Sequence, residues 1–355
     1  MDKKIQMLVG PTVLPSKVQE AMVHDAYSHR SLYYKEVQHR VTEGLKKIFG
    51  TENDMLLLTT SGTGAMEAVI QNVFLPGDEV IIPINGVFGE LFYDVAKGYD
   101  LKIVRIDFEY GHEVDRDKVL EAITTETKGI LMIHNESSTG VMNDVKNLGL
   151  GLKDSDVVLI VDSVSGAGGI ELQMDEWNID VLFTASQKAL MSPPGLAFVS
   201  LSDKAWDCVD RVNNPKYLFN FKRDREYTLR DLTVHTPATH TLLAVDAALA
   251  LIVDEGLEKV IQRHTANATL LRGELKKLGF ELFAKNEKYA SSTLTSVFSK
   301  DNADYYVKEL AKENIMIGGG KNPLKTDTFR IGTMGYVSRN DVIACIEALR
   351  RIVTR

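Results

Sequence analysis

Between residues 55 and 201, short apolar segments alternate with helix-length segments. Such alternation predicts an α/β protein, with a mostly parallel seven-stranded sheet covered by helices on both faces. The expected strands are Met55–Thr60, Glu79–Ile84, Leu101–Ile106, Ile130–His134, Val157–Asp162, Asp180–Thr184 and Leu196–Leu201. Helices are expected between them, for example over Ala65–Phe74, Gly89–Gly98 and Val114–Thr125.

The pattern changes in the last third of the chain. After an Ala/Leu-rich helix at Thr239–Ile252 and a long amphipathic helix near residues 256–278, short strands surround two further helices. With 355 residues the chain is long enough for two domains. We therefore expect an N-terminal arm over residues 1–20, a large domain over 21–255 and a small α+β domain over 256–355.

Composition excludes several classes of protein. The chain has 41 basic and 49 acidic residues, a net charge of −8, and shows no basic tract, so a nucleic-acid partner is not expected. The cysteines, Cys208 and Cys345, lack metal-site or CxxC spacing. No apolar segment approaches the roughly 18 residues of a spanning helix. We expect a cytoplasmic protein without a membrane contact.

Lys188 is the first candidate for chemistry. It comes just after an apolar strand and is followed by Pro193-Pro194-Gly195, so it is expected at the ligand-binding edge of the sheet. Burial there would disfavour the ammonium form and leave a nucleophilic amine able to form a Schiff base. A solvated surface lysine is the alternative.

Asp162 ends the apolar segment Val157–Val161. An unpaired carboxylate is costly to bury, so Asp162 is expected to meet a partner, for which a cofactor, a helix N-terminus and a loop cation are the alternatives. Ser61, Gly62 and Thr63 form a glycine-containing turn between a strand and a helix, where exposed N–H groups suit a phosphate. A turn that only connects the two elements fits this segment equally well.

Arg330 lies between apolar residues on an expected strand of the small domain. Its guanidinium suits a substrate carboxylate, and a structural ion pair is the alternative. A phosphate site, an acid for a ring nitrogen, a lysine for an aldehyde and an arginine for a carboxylate together indicate pyridoxal phosphate (PLP).

The chain also resembles class V aminotransferases of fold type I, most closely the alanine–glyoxylate / serine–pyruvate group. The motifs that carry the resemblance lie in the same order along nearly the whole chain. They are Gly10-Pro11-Thr12, Asn85-Gly86-Val87-Phe88-Gly89, Asn135-Glu136-Ser137-Ser138-Thr139-Gly140-Val141, Val161-Asp162-Ser163-Val164-Ser165, Ser186-Gln187-Lys188-Ala189-Leu190, Thr236-Pro237 and Phe329-Arg330-Ile331-Gly332.

The resemblance implies a role for each matching residue. Lys188 would form the Schiff base with PLP, and Asp162 would pair with the pyridine nitrogen. Ser61, Gly62 and Thr63 would hold the phosphate together with Gln187. Phe88 would stack on the ring, Ser137 would lie beside its phenolic oxygen, and Arg330 would bind the substrate carboxylate. The implied reaction is transamination between alanine or serine and glyoxylate or pyruvate.

The resemblance further implies a homodimer in which Thr236 of one subunit completes the phosphate site of the other. Relatives commonly carry a tyrosine three residues earlier, where this chain has Thr233, so that contact is an open question. His29 and Arg30 are expected near the arm that closes over the site, as substrate contacts or as surface residues. His134 and His235 are expected to be structural.

Other activities stay open at this point. Within PLP enzymes these are 2-aminoethylphosphonate–pyruvate transamination, ureidoglycine–glyoxylate transamination and lyase chemistry. Cysteine desulfurase activity is disfavoured, because Cys345 falls in an apolar helix rather than a loop. Two alternatives lie outside the PLP enzymes. A nucleotide-dependent oxidoreductase would need a fuller glycine motif, and a non-catalytic binding protein would not need Lys188.

Overall fold

The computed structural model describes residues 4–25 and 27–354. As expected, its central sheet has seven strands and is mostly parallel. The strands are β2 (Met55–Leu58), β3 (Glu79–Ile84), β4 (Lys102–Asp107), β5 (Thr127–Ile133), β8 (Val158–Asp162), β9 (Val181–Ala185) and β10 (Ala197–Leu201). Their order in the sheet is β2-β10-β9-β8-β5-β3-β4. Strand β10 runs antiparallel to both neighbours, and the other pairs are parallel.

Helices cover both faces of this sheet, and the apolar side chains between the layers form two cores. Helices α2, α5, α6 and α9 contribute to one core, and α3, α4 and α7 to the other. The helices of the chain are α1 (Ser16–Glu20), α2 (Leu32–Phe49), α3 (Gly62–Val73), α4 (Val87–Gly98), α5 (Arg116–Glu121), α6 (Val145–Gly151), α7 (Asp203–Arg211), α8 (Phe221–Thr228), α9 (Thr239–Glu255), α10 (Leu257–Lys277), α11 (Ala303–Lys312) and α12 (Arg339–Val353). None of those described is long and apolar enough to cross a membrane.

A second, five-stranded sheet has the order β1-β13-β14-β12-β11. Its strands are β1 (Ile5–Met7), β11 (Glu281–Leu282), β12 (Leu294–Phe298), β13 (Ile315–Gly319) and β14 (Thr328–Gly332). Helices α10, α11 and α12 pack on it around a third apolar core. Strand β1 belongs to the N-terminal arm and pairs in parallel with β13, so the two ends of the chain meet in one sheet. The domain boundary near residue 255 stays a prediction.

Some elements differ from those expected. Helix α5 covers only Arg116–Glu121, because Asp115 caps its start and Thr124 then turns the chain through hydrogen bonds with Thr127. The sequence did not predict β1, α7 or α8. Two further short strands, β6 (Asn135–Glu136) and β7 (Val141–Met142), form a hairpin beyond the end of β5, and Glu287–Tyr289 form a 3-10 helix.

Candidate active site

A cavity of about 230 Å³ opens where the carboxyl ends of β3, β5, β8 and β9 come together. Crevices of this kind are where open α/β sheets bind ligands. Eight of the predicted residues line it: Ser61, Gly62, Thr63, Phe88, Ser137, Asp162, Gln187 and Lys188. The other lining residues are Met66, Leu91, Ile133, Asn135, Val164, Ser165 and Lys321.

Lys188 follows β9 and its ammonium group donates a hydrogen bond to the backbone carbonyl of Val9. The N-terminal arm also binds the lysine's own backbone, because the Thr12 hydroxyl donates to the Lys188 carbonyl at 2.8 Å. Between these contacts lies Gly10, with φ +106°, where a Cβ would come within 2.7 Å of Lys188 Cδ. The arm therefore packs directly on the lysine, and a glycine is needed at that point.

Burial, together with the nearby Arg330 and Lys321, lowers the pKa of Lys188 to about 8. Desolvation and like charges both disfavour an ammonium ion, and Asp162 opposes them only in part. A substantial fraction of the amine is therefore neutral near physiological pH. The neutral amine is the form that can attack an aldehyde or accept a proton.

Asp162 is the last residue of β8 and is almost completely buried. One carboxylate oxygen accepts a hydrogen bond of 2.8 Å from the backbone N–H of Val164. Burial raises the pKa of Asp162 to about 7, and the nearby Glu136 adds to that rise. A cationic partner inside the cavity would hold this carboxylate in its ionised form.

Helix α3 begins at the cavity with Ser61 as its N-cap, and the Ser61 hydroxyl accepts a hydrogen bond of 3.3 Å from the Gly64 N–H. The N–H groups of the first helical turn, here Gly62 and Thr63, have no carbonyl acceptor inside the helix. The predicted phosphate-binding residues therefore lie at a helix N-terminus that faces the cavity.

The buried carboxylate of Glu136 fixes the start of helix α4. It accepts hydrogen bonds from the backbone N–H groups of Phe88 and Gly89, and from the hydroxyl and N–H of Ser138. A Cβ on Gly86 would lie 2.2 Å from Glu136 Cγ, so this approach requires a glycine. Glu136 thereby positions Phe88 at the cavity wall. Glu136 belongs to the motif Asn135–Val141, but its role in positioning α4 was not predicted from the sequence.

Arg330 lies on β14 and is 8% exposed. Its guanidinium donates to the backbone carbonyls of Gly319 at 2.9 Å and Ser137 at 3.1 Å. Within the described residues it forms no ion pair with a carboxylate. The bonds hold the guanidinium between β13 and the β6–β7 hairpin, near enough to Lys188 to lower that lysine's pKa.

Lys321 is a cavity residue that was not predicted from the sequence. It follows Gly318-Gly319-Gly320 beyond the end of β13, and its ammonium lies 4.6 Å from the ring centroid of Phe88. Burial and the charge of Arg330 lower the pKa of Lys321. The glycine run after an apolar strand was the signal that could have drawn attention to it.

Thr236 lies elsewhere in the subunit, on a second cavity of about 200 Å³ that Thr233, His235 and Asp224 also line. Arg30 holds this segment by donating to the backbone carbonyls of Thr233 and Val234, at 2.6 and 3.0 Å. Within one chain Thr236 is thus separate from the cavity at Lys188. A contact between the two requires a second subunit.

The remaining histidines and cysteines have no place in the Lys188 cavity. His134 is buried and forms a hydrogen bond with Ser163 at 2.9 Å, and burial lowers its pKa to about 4. His29 packs edge-on against Tyr34. Cys345 is buried in α12, and burial raises its pKa to about 12. No group of three potential metal ligands comes together within residues 4–25 and 27–354.

The chain has clear relatives among known proteins. It is 37% identical to an uncharacterised aminotransferase of Methanocaldococcus jannaschii, over 97% of this chain and 92% of the relative. It is 33% identical to a protein of Anabaena cylindrica named the soluble hydrogenase 42 kDa subunit, over 99% of this chain and 94% of that protein. It is 32% identical to the alanine–glyoxylate aminotransferase of Drosophila melanogaster, over 97% of this chain and 91% of that protein.

Among solved structures, alanine–glyoxylate aminotransferase from Nostoc superposes with a TM-score of 0.94 at 27% identity, covering 100% of this chain and 96% of that one. The class-V aminotransferase family profile matches residues 11–344, which is most of the chain. Aminotransferases of this class and fold use PLP. The chain therefore belongs to the class-V aminotransferase family and is a PLP-dependent transaminase.

Proposed function

We propose that the enzyme transfers the amino group of a small amino acid, alanine or serine, to a small 2-oxo acid, glyoxylate or pyruvate. The observation that carries the proposal is the placement of Lys188, Asp162 and the N-terminus of α3 around one cavity, with Arg330 beside it. The names of the Drosophila relative and of the Nostoc structure, both alanine–glyoxylate aminotransferases, support this choice of substrates.

The cavity residues fit PLP. The buried side-chain oxygens of Asn135 and Gln187 lack hydrogen-bond partners among the described residues, so unused polar groups line the cavity wall. Ser61, Gly62 and Thr63, with Gln187, would bind the phosphate. Asp162 would pair with the ring nitrogen, Phe88 would pack on the ring face and Ser137 would lie by the phenolic oxygen.

When bound, PLP supplies an electron-withdrawing ring that stabilises negative charge developing at the substrate α carbon. Lys188 would hold the cofactor covalently before the donor arrives. Once released as an amine, it would move a proton between the substrate α carbon and the C4′ carbon of the cofactor. Arg330 would orient the substrate through its carboxylate, and its bonds to Gly319 and Ser137 fix it before substrate binds.

The same proposal includes a homodimer. Large apolar side chains of the segments 23–32 and 217–229 are more than half exposed: Val23, Leu32, Tyr217, Leu218 and Leu229. The segments adjoin because Arg30 lies over the Tyr227 ring and binds Thr233. A second copy would cover this surface and bring Thr236 to its partner's phosphate site. We also propose a cytoplasmic enzyme, since Cys208 and Cys345 are both unpaired.

A donor and acceptor panel tests the proposal. The PLP-loaded enzyme should form 2-oxo acid from L-alanine or L-serine with glyoxylate or pyruvate as acceptor, whereas Lys188→Ala should not turn over. Faster reaction with 2-aminoethylphosphonate or ureidoglycine would change the assigned donor. Amine release without an acceptor would indicate a lyase. A colourless protein that binds NAD but no PLP would contradict the proposal altogether.

A further inference from the structure

The backbone carbonyl of Val9 depends on Lys188 for its hydrogen bond. Val9 lies in the N-terminal arm, is 6% exposed and accepts from the side-chain nitrogen of Lys188. No second donor to this carbonyl is found within residues 4–25 and 27–354. A buried backbone carbonyl without a donor is unfavourable. The bond from Lys188 therefore contributes to holding the arm in place.

The arm is packed between Lys188 and the five-stranded sheet. On one side Gly10 lies against the Lys188 side chain, where a Cβ would come within 2.9 Å of Cε. On the other side the Leu8 carbonyl lies against Gly332 of β14, where a Cβ would collide with it. The Val9 side chain belongs to a small apolar cluster, whose other members are Ala189, Leu294 and Met334. These contacts keep the Val9 carbonyl beside the lysine.

Formation of a Schiff base removes the hydrogen atoms that the bond to Val9 needs. When the neutral Lys188 amine attacks the aldehyde of PLP, a C=N bond forms and the aldehyde oxygen leaves as water with both amine hydrogens. The nitrogen then carries at most one proton. When an amino donor takes the place of the lysine on the cofactor, the two hydrogens of the donor's amine pass to Lys188. The lysine thus alternates between a good donor and a poor one.

We propose that the Val9 carbonyl receives the Lys188 amine whenever the lysine is not bound to PLP, so that the free lysine holds the arm and the Schiff base loosens it. This inference rests on the proposed function, since it takes Lys188 as the residue that binds the cofactor. A neutral amine that donates one N–H to Val9 keeps its lone pair free for the proton that the reaction moves. The carbonyl therefore positions the released lysine for its second task.

Hydrogen exchange of the arm tests the inference without measuring turnover. Enzyme loaded with PLP and enzyme loaded with pyridoxamine phosphate have similar molecules in the cavity, but only PLP can bind Lys188 covalently. Exchange is followed by mass spectrometry on the peptide of residues 5–12. It should be about tenfold faster with PLP, the factor that one charged hydrogen bond supplies. A peptide over α12 (Arg339–Val353) should exchange equally in both forms.

Two variants separate this bond from the general packing of the arm. Lys188→Met keeps a long side chain without an N–H, so its cofactor-free arm should exchange about tenfold faster than that of cofactor-free wild type. Thr12→Val removes the 2.8 Å bond from the Thr12 hydroxyl to the Lys188 carbonyl, which does not involve the side-chain nitrogen. It should speed exchange in both loaded forms and leave the ratio between them unchanged.

The inference is overturned if the arm exchanges equally, or more slowly, with PLP than with pyridoxamine phosphate. An arm in Lys188→Met that is as protected as in wild type would overturn it as well. Borohydride reduction of the same PLP-loaded sample distinguishes the two levels of failure. If Lys188 carries the cofactor and exchange is unchanged, this inference alone is wrong. If Lys188 does not carry it, the proposed function fails and this inference with it.

Discussion

At the scale of single residues, Asp162 and Lys188 are held in environments that disfavour their charges. Their pKa values, about 7 and about 8, are displaced from 3.8 and 10.5 toward neutrality, with burial as the main cause in each case. Such displacement costs folding free energy and prepares the groups for a charged or covalent partner. Substitution of these residues can separate the effect on folding free energy from the effect on activity.

Asp162→Asn should stabilise the cofactor-free protein at high pH while abolishing most of its activity. The carboxyl ionises near pH 4 in the unfolded chain and near 7 in the folded one, so the folded state loses stability as pH rises from about 4 to 7. Because asparagine does not ionise, the variant should have a higher free energy of unfolding than wild type at high pH, by up to roughly 4 kcal/mol. Urea unfolding at pH 4 and pH 8 measures this difference. A variant that is no more stable than wild type at pH 8 would contradict the buried-acid account.

Capture of the cofactor by Lys188 should become faster with rising pH. Since the amine reacts only when neutral and its pKa is about 8, the rate constant should increase through that value and level off above about pH 9. Stopped-flow absorbance of apoenzyme mixed with PLP gives the profile. A rate that keeps increasing up to pH 10.5, the value of an ordinary lysine, would show that the amine is not desolvated.

At the scale of elements, the N-terminal arm connects the five-stranded sheet to Lys188, the proposed catalytic residue. Strand β1 pairs with β13, and the next residues, Val9 to Thr12, bind Lys188 and Gln187. The carbonyl of Val9 orients the amine, and Gly10 leaves room for its side chain. The arm thus helps to fix the position of the Lys188 amine.

Gly10→Ala should reduce activity far more than Gly77→Ala. Both glycines have positive φ, +106° and +87°, so alanine meets backbone strain of about 1–3 kcal/mol at either position. Only at Gly10 does the new Cβ also collide with Lys188, whereas nothing lies within 4 Å at Gly77. Turnover normalised to bound PLP separates the effect of backbone strain from the effect of the collision with Lys188. Equal losses in both variants would mean that the contact with Lys188 has no catalytic consequence.

The sequence predicts the buried strands and the residues at their ends better than it predicts contacts between distant segments. The buried strands were identifiable because parallel strands covered on both faces are continuous apolar segments, as Val157–Val161 is. Strand β1 was missed because three residues at the edge of a sheet carry no such pattern. Residues at strand ends, such as Lys188, could be placed from the topology rules. Glu136 and Lys321 could not, because their roles depend on contacts between segments distant in sequence.

At the scale of the whole molecule, the exposed apolar surface at residues 217–229 and the position of Thr236 support the proposed assembly of two chains. We expect a solution mass twice the chain's 39.5 kDa. Leu229→Glu, at a side chain 65% exposed, should shift the enzyme toward monomer and weaken PLP retention. Ile343→Glu on α12, at 41% exposure, is the control and should change neither. Light scattering that finds a fully active wild-type monomer would refute the shared-site arrangement.

We propose that Lys188, in the cavity at the strand ends, binds the cofactor covalently. Reducing the PLP-loaded enzyme with borohydride fixes any such bond, and peptide mass spectrometry then locates it. We expect a phosphopyridoxyl group on the peptide that contains Lys188, and we expect it to be lost when L-alanine is added before reduction. Modification of Lys321 instead, or of no lysine, would contradict it.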